Sequence, residues 1–548
     1  MPQHRTIIPS ATQRALFHTP EIQVHIFGTL EDEAAVRCAL VCKAWTEKAL
    51  DRAWSKTFGL RRIFNVLAPL TPREMSIDNG FDFMKPVGAR NRTRFVYYSK
   101  RIRTLGLFGF DEDELPSESA FIELLKSRLG SNLLPNLETL IVLQCNAKLA
   151  KTLLPFLHDS LVCLHLSWKD ESMREFDSLL EEVELRSPRL RKLDINAPVD
   201  QTAVVERVTQ FISRQVLLEE FTITSKLCPI VASLSGLPRL KKVSKLYLGP
   251  TDAESEPCGH SHSIGCFPSL LDLGLLADIP KASSFILVHP SFANLRKLTV
   301  TATSVDTAGV ISEFFTSISE SCRILEELAL ECHVNGTVPD NIITCRILDP
   351  ITSLRRLRKL SFSVGRPYFD ISDDDLEDLL ARCSRLESFS LRPLKPSRPS
   401  CHMHVPTLRI LHRIAECQPD LGNLDIYFDA CDVITGRGFI DATITPFRKL
   451  NRLHVHNSPP PEGVDKTALY LSHVLSPQCE ISQAWPTHSQ RSRKAWDSII
   501  ARIPLFSDLV SQYRRDTLEF KQRKVDAPLS AAESTDSHRF DIVKEEQD

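Results

Sequence analysis

The feature that most constrains this chain is a triplet, Leu-x-x-Leu-x-apolar, that returns from Ile102 to Val455. Clear copies are Leu137/Leu140/Val142, Leu161/Leu164/Leu166, Leu190/Leu193/Ile195, Leu218/Phe221/Ile223 and Leu270/Leu273/Leu275. Others are Leu295/Leu298/Val300, Leu325/Leu328/Leu330, Leu357/Leu360/Phe362, Leu386/Phe389/Leu391, Leu421/Leu424/Ile426 and Leu450/Leu453/Val455, with Ile102/Leu105/Leu107 and Val243/Leu246/Leu248 completing thirteen. The middle residues recur at a mean spacing of about 29 residues. In a strand, successive side chains take opposite faces, so the middle residue and the one two further on point the same way, into a core. Segments of helical period lie between copies, among them Phe121, Leu124 and Leu125, then Phe176, Leu179, Leu180 and Val183, then Ile311, Phe314, Phe315 and Ile318. One strand and one helix cannot enclose such an apolar edge, so neighbouring units have to stack and bury it jointly.

A strand–helix unit of this length and signature resembles the leucine-rich repeat. The expected fold is an α/β solenoid, a ribonuclease-inhibitor-like horseshoe of about 13 strand–helix repeats over residues 101–482. The stretch from Gly249 to Gly265 lacks helical period and reads as an inserted loop. Beyond Pro459-Pro460-Pro461 a helix is expected from about Lys466 to Leu475, then a short strand at Cys479, Glu480 and Ile481. Trp496, Ile499, Ile500 and Ile503 stand at helical spacing and imply a C-terminal helical cap over residues 483–524. The polar ends, 1–17 and 525–548, are expected to be disordered, and 58–100 to be a linker.

Residues 18–57 have a different character. Thr19 can cap a first helix with Pro20 at its first position and Glu21 at its positive end. Ile22, Ile26 and Leu30, four apart, share a face. A second helix after Asp32 is expected to carry Val36, Ala39 and Leu40 on one side and Cys38, Val41, Cys42 and Trp45 on another, and Thr46 is expected to cap a third holding Leu50 and Trp54. Three helices this short bury little apolar surface and need a partner or the neighbouring solenoid. The string HTPEIQVHIFGTLEDEAAVRCALVCKAWTEKALDRAW resembles the F-box, matching it at Pro20, Glu21, Ile22, Ile26, Phe27, Leu30, Cys38, Val41, Cys42, Lys43, Trp45 and Trp54 and departing from it at Thr19 and Gly28. The following NRTRFVYYSKRIRTLGL, with the degenerate repeats, is similar to fungal F-box proteins. The resemblance implies a small all-α three-helix module that docks a Skp-type adaptor, so that a cullin ligase core receives a target protein held by the solenoid. It implies docking through Pro20, Ile22, Ile26, Leu30, Val41 and Trp45, or else a place for these residues in the module's own core. A solenoid scaffold uncoupled from any ligase is the alternative.

The target would meet the strand residues that alternate with the inward leucines. His165, Asp194, Asp425, His454 and His456 belong to that wall, and Tyr247, Arg392 and Tyr427 are its expected anchors because Tyr and Arg are the commonest interface hot spots. Lys and Arg number 67 against 69 for Asp and Glu, so no global field favours nucleic acid or a membrane surface. Fifteen scattered cysteines, an odd count, fit reduced thiols in a cytoplasmic or nuclear protein. No phosphate loop, nucleophile elbow or HExxH motif is present, so a non-catalytic protein with no cofactor is expected. Cys258, His260, His262 and Cys266 are metal-ligand types, but their spacing fits no standard zinc module and no metal is assigned to them. Ser372 before Asp373, Asp374 and Asp375 reads as a helix cap rather than a calcium loop. Arg355, Arg356, Arg358 and Lys359, interleaved with leucines, read as the solvated face of one repeat, and clusters at 491–494 and 521–524 as nuclear import signals.

Overall fold

The computed structural model describes residues 19–525 except 72–79, 110–114, 127–131, 170–172, 198–201, 224–229, 249–265, 335–341, 366–367, 394–403, 431–443, 457, 460, 462 and 484–489. It forms two compact units, Met1–Cys332 and His333–Asp548.

The first unit begins with helices α1 (Pro20–Gly28), α2 (Asp32–Ala39) and α3 (Lys43–Ala53), strand β1 (Lys56–Phe58), and helices α4 (Arg61–Phe64) and α5 (Ala89–Ser99). Strand and helix then alternate: β2 (Thr104–Phe108), α6 (Glu118–Lys126), β3 (Thr139–Cys145), α7 (Ala147–Thr152), β4 (Cys163–Trp168), α8 (Met173–Arg186), β5 (Lys192–Asn196) and α9 (Thr202–Arg214). The series continues with β6 (Glu220–Ile223), α10 (Ile230–Ser235), β7 (Lys242–Tyr247), β8 (Asp272–Ala277), α11 (Ile279–Val288), β9 (Lys297–Asp306), α12 (Ala308–Ser321) and β10 (Glu327–Val334). From β1 to β9 each strand pairs in parallel with the next. Leu105, Leu140, Leu164, Leu193, Phe221, Val243, Leu273 and Leu298 thereby form one continuous buried row. The helices close over this row with Phe176 and Leu180, Val208 and Phe211, and Phe314 and Phe315.

In the second unit β12 (Lys359–Gly365), β14 (Ser388–Pro393), β15 (Asn423–Ile426), β16 (Arg452–His454) and β17 (Glu480–Ser482) also pair in parallel in chain order. Leu360, Phe389, Leu424, Leu453 and Ile481 stand in register. Two short strands, β11 (Ile342–Ile343) and β13 (Tyr368–Phe369), pair with each other. Helices α13 (Asp373–Arg382), α14 (Ile410–Cys417), α15 (Val464–Val474) and α16 (Gln490–Val525) complete the unit. Trp496 and Ile499 of α16 are buried, and the Trp496 indole N–H donates to the Ser458 carbonyl at 3.1 Å.

Every triplet station falls on a strand, and three details differ from the sequence reading. In the sixth copy the residue in register with Phe221 and Leu273 is Val243, not Leu246. Lys245 takes a left-handed backbone conformation (φ 57°), which inserts a bulge and returns Leu246 to the core opposite Leu275. A helix was also expected in every repeat, but Cys345–Ser353 is a 3-10 helix, with Pro350 inside it removing a backbone donor. The lower end of the solenoid starts earlier than the first triplet, because β1 pairs with β2 ahead of it.

At the strand starts, charge alternates from one strand to the next: Lys192, Glu220, Lys242, Asp272 and Lys297 occupy successive register positions. Lys192 and Glu220 lie 2.7 Å apart, Lys242 and Asp272 3.5 Å, and Lys297 reaches Glu327 at 3.1 Å. Such half-exposed pairs each contribute about 0–1 kcal/mol, so their effect is on register more than on stability. No helix among the described residues is long and apolar enough to cross a membrane.

Phe221→Ala should lower unfolding free energy by about 3–5 kcal/mol, while its sheet neighbour Thr222→Ala should stay within about 0.5 kcal/mol. Urea titration of the two variants checks this, and equal losses would contradict the inward–outward assignment.

Candidate functional site

The N-terminal module is built around small residues. Ala35 and Ala39 on α2 and Ala49 and Ala53 on α3 are buried and let the helices approach closely, and Phe27 from α1 fills the space between them. Leu30, Cys38, Trp45 and Leu50 pack around that cluster. Trp45 meets Phe27 edge to face, with centroids 5.6 Å apart. Asp32 and Arg52 join α2 to α3 at 2.6 Å.

The helix boundaries depart from expectation. The second helix ends at Ala39, and Cys42 is extended (φ −158°), so Leu40 and Val41 form a turn and Trp45 belongs to α3. Thr46 lies inside α3 instead of capping it, and its hydroxyl donates to the carbonyls of Ala39 (2.9 Å) and Cys42 (3.1 Å), tying the turn down. The inner face of α1 is Gln23 and Phe27.

The opposite surface is apolar and open. Leu40 is 83% exposed, Val41 65%, Val24 56% and Ile26 41%. Of the residues the sequence singled out for docking, Pro20, Ile26 and Val41 are exposed, Ile22 is partly buried, and Leu30 and Trp45 pack on the module core. Leu40 and Val24 were missed as surface residues. Leu40 was read as a residue of the second helix, and only the helix stop at Ala39 turns it outward.

The module is tethered to the strands that follow. The Ser55 carbonyl accepts from Arg103 and Thr104 N–H at 2.9 Å, extending the β1–β2 pairing. Arg101 pairs with Glu47 and, at 3.1 Å, with Asp51, and its guanidinium lies 4.0 Å from the centre of the Tyr97 ring. The Tyr97 hydroxyl donates to Glu47 at 2.6 Å. Trp54 packs against Tyr98 with the rings tilted by 35° (4.6 Å between centroids) beneath Arg62.

The second exposed surface is the sheet face opposite the helices. In the first unit it holds His165, whose imidazole lies 3.2 Å from both Asp194 Oδ2 and Cys163 Sγ. The hydrogen bond that the ring donates to Asp194, then its hydrogen bond with Cys163, pushes the His165 pKa up to about 10. Tyr247, partly exposed, closes β7 on the same unit. In the second unit Arg392 Nε donates to Ser363 Oγ at 2.5 Å, and its Nη1 lies 3.6 Å from Asp425 Oδ2. Ser390 donates to that same oxygen at 3.0 Å. His454 Nδ1 lies 3.1 Å from Asp425 Oδ1, and His456 Nε2 touches it too. Burial by itself would raise the Asp425 pKa, but the two histidines outweigh it and hold the carboxyl well below the usual range. Tyr427 follows β15, partly exposed. Arg392 and Tyr427 therefore share a unit and Tyr247 belongs to the other.

Burial pushes the Cys322 and Cys345 thiols up to about 12, so neither supplies thiolate near neutrality. Cys258, His260 and His262 lie outside the described residues. Ser372 and Asp375 form a reciprocal capping box, each side chain accepting the other's backbone N–H at 3.1 Å. Arg355, Arg356, Arg358 and Lys359 are exposed between buried Leu354, Leu357 and Leu360.

His165 bears a sign that can be tested. Its raised pKa means it stabilises the fold fully below pH 6.5, and that contribution is lost as pH rises through about 10. An NMR titration should place its midpoint well above 6.5, and His165→Gln should flatten the fall in stability between those limits. A midpoint at the free-histidine value would contradict the Asp194 contact.

Comparison with known proteins adds three findings. Residues 20–58 match the F-box-like family model. No curated protein matches the chain. Among solved structures, the leucine-rich repeat-containing protein LegL7 from Legionella pneumophila aligns at 11% identity over 66% of this chain and 97% of its own, with a TM-score of 0.31. An internalin C2 from Listeria monocytogenes aligns at 16% identity over 42% and 72%, with a TM-score of 0.20.

Proposed function

We propose that this chain, an F-box-like module joined to leucine-rich-repeat strands, is the substrate-recognition subunit of a Skp-cullin-F-box ubiquitin ligase. The observation that carries the reading is the module's division of labour. Its own core is filled by Phe27, Trp45, Leu50 and four alanines, yet Val24, Ile26, Leu40 and Val41 remain in water on its outer side. A module this small gains little by exposing such side chains unless another protein covers them. A Skp-type adaptor is that protein, seated against Pro20, Ile22, Ile26 and Val41 with Leu40 and Val24 added, while Leu30 and Trp45 hold the docking surface in shape.

Binding a target protein falls to the open sheet faces, with Tyr247 as the anchor on the first unit and Arg392 and Tyr427 as the anchors on the second. Arg392 is held by Ser363 and Asp425 before any partner arrives, which lowers the entropy lost on binding. The chain makes and breaks no covalent bond in this role. It works in the cytoplasm or nucleus, where the cullin core can receive the target.

The full chain should co-elute with a Skp-type adaptor. Leu40→Asp/Val41→Asp should weaken that complex at least about a hundredfold, since a buried unpaired charge costs several kcal/mol, with the thermal unfolding midpoint little changed. An intact chain that binds no such adaptor would favour the uncoupled scaffold. Substituting Tyr247, Arg392 and Tyr427 together with Ala should abolish capture of the target, and undiminished capture would remove them from the role.

A further inference from the structure

We infer that Asp425, His454 and His456 form a binding site for a divalent transition metal of the zinc class, held by two imidazole nitrogens and one carboxylate oxygen. Their ligand atoms, Oδ1, Nδ1 and Nε2, all lie within 4.8 Å of one another, on the open sheet face of the second unit. Zinc takes nitrogen at about 2.0–2.1 Å and carboxylate oxygen at about 2.0–2.2 Å, so tetrahedral donors stand about 3.3 Å apart. The 3.1 Å between His454 Nδ1 and Asp425 Oδ1 fits that edge, whereas His456 Nε2 touches Oδ1 and draws back to admit the ion, which also replaces the 3.3 Å hydrogen bond from the His456 backbone N–H to His454 Nδ1.

The burial of His456 points into the same cluster. The His456 side chain is 8% exposed, and neither its Nε2 nor Asp425 Oδ1 completes a well-directed hydrogen bond, although the two touch. Buried polar atoms are nearly always satisfied, and a cation bound by both would satisfy them once Nε2 draws back from Oδ1 to the donor spacing above. The backbone also works to bring His456 there. Following β16, it takes a left-handed conformation (φ 46°) that non-glycine residues adopt at some cost, and its ring comes to lie 4.3 Å from that of His454. Without that turn an alternating pair, i and i+2, would have no reason to converge on a single oxygen.

The surroundings suit a cation of this kind. Ser390 bonds the second oxygen of Asp425 and fixes the carboxylate's orientation, as groups around metal ligands do. Arg392 approaches the same second oxygen, leaving the histidine-facing oxygen for the metal. Three protein ligands leave coordination open to water or to a donor atom from outside.

The test uses the chelator-treated full chain, titrated with Zn²⁺ and, as a spectroscopic probe, with Co²⁺. The expected result is one tightly bound equivalent whose Co²⁺ spectrum shows ligand-field bands without sulfur-to-metal charge transfer, which separates it from any site at the cysteines. His454→Ala, His456→Ala and Asp425→Asn should each weaken it at least about a hundredfold, beyond what loss of an outer partner costs. Circular dichroism identifies any variant that fails to fold, and the remaining two then decide. A wild-type chain with no sulfur-free Co²⁺ site, or one whose site survives all three substitutions, would overturn the assignment and leave a hydrogen-bonded cluster only. Adaptor binding is measured on the other unit, so its failure would be separate from this one.

Discussion

Each strand in this chain depends on the strand beside it. The parallel ladder satisfies one edge of every strand with the backbone of the previous repeat, and the leucine row is buried only because the next repeat covers it. Stability is therefore a sum of neighbour contacts, and each repeat is as secure as its two interfaces. Everything functional is placed by that ladder. The side chains on the open face are spaced by the strand separation, about 4.7–4.9 Å, and so groups far apart in sequence come within reach of one another.

The three-helix module obeys the same logic at its boundary. Its alanine-lined core is too small to stand on apolar burial alone, and β1 solves this by making the module's own chain the first rung of the sheet. Arg101, largely buried against Tyr97, Glu47 and Asp51, adds a polar clamp from the segment leading into β2. The outer apolar surface is thus carried on a rigid mount. A docking surface set this way loses less entropy when it meets a partner than one on a free helical hairpin.

Much of this was legible in the sequence because periodicity reports on burial. The triplet marks a strand face and its recurrence marks stacking, so the solenoid and its register were readable at nearly every station. The register of Val243 was not legible, because Lys245 adopts a conformation that residue type does not announce. In the module, Phe27 and Trp45 follow from the pattern, but the outward turn of Leu40 depends on where α2 stops, which a single residue's identity does not decide. The convergence of Asp425 with His454 and His456 was hidden for another reason. Asp425 and His454 are partners only through the β15–β16 register, and His456 joins them through a backbone turn just past the strand. Pairing across strands is a property of the fold, and no local spacing encodes it.

The alternating charges at the strand starts restrict how such a chain can change length. From Lys192 through Glu220, Lys242, Asp272 and Lys297 to Glu327, each strand offers the sign opposite to its neighbour's. Excising any single inner repeat would set Lys against Lys or Glu against Asp, and like charges directly opposed are destabilising. Removing two adjacent repeats would restore the alternation. The charge pattern of this stretch therefore has a period of two repeats, so losing repeats in pairs would keep the alternation that losing one would break.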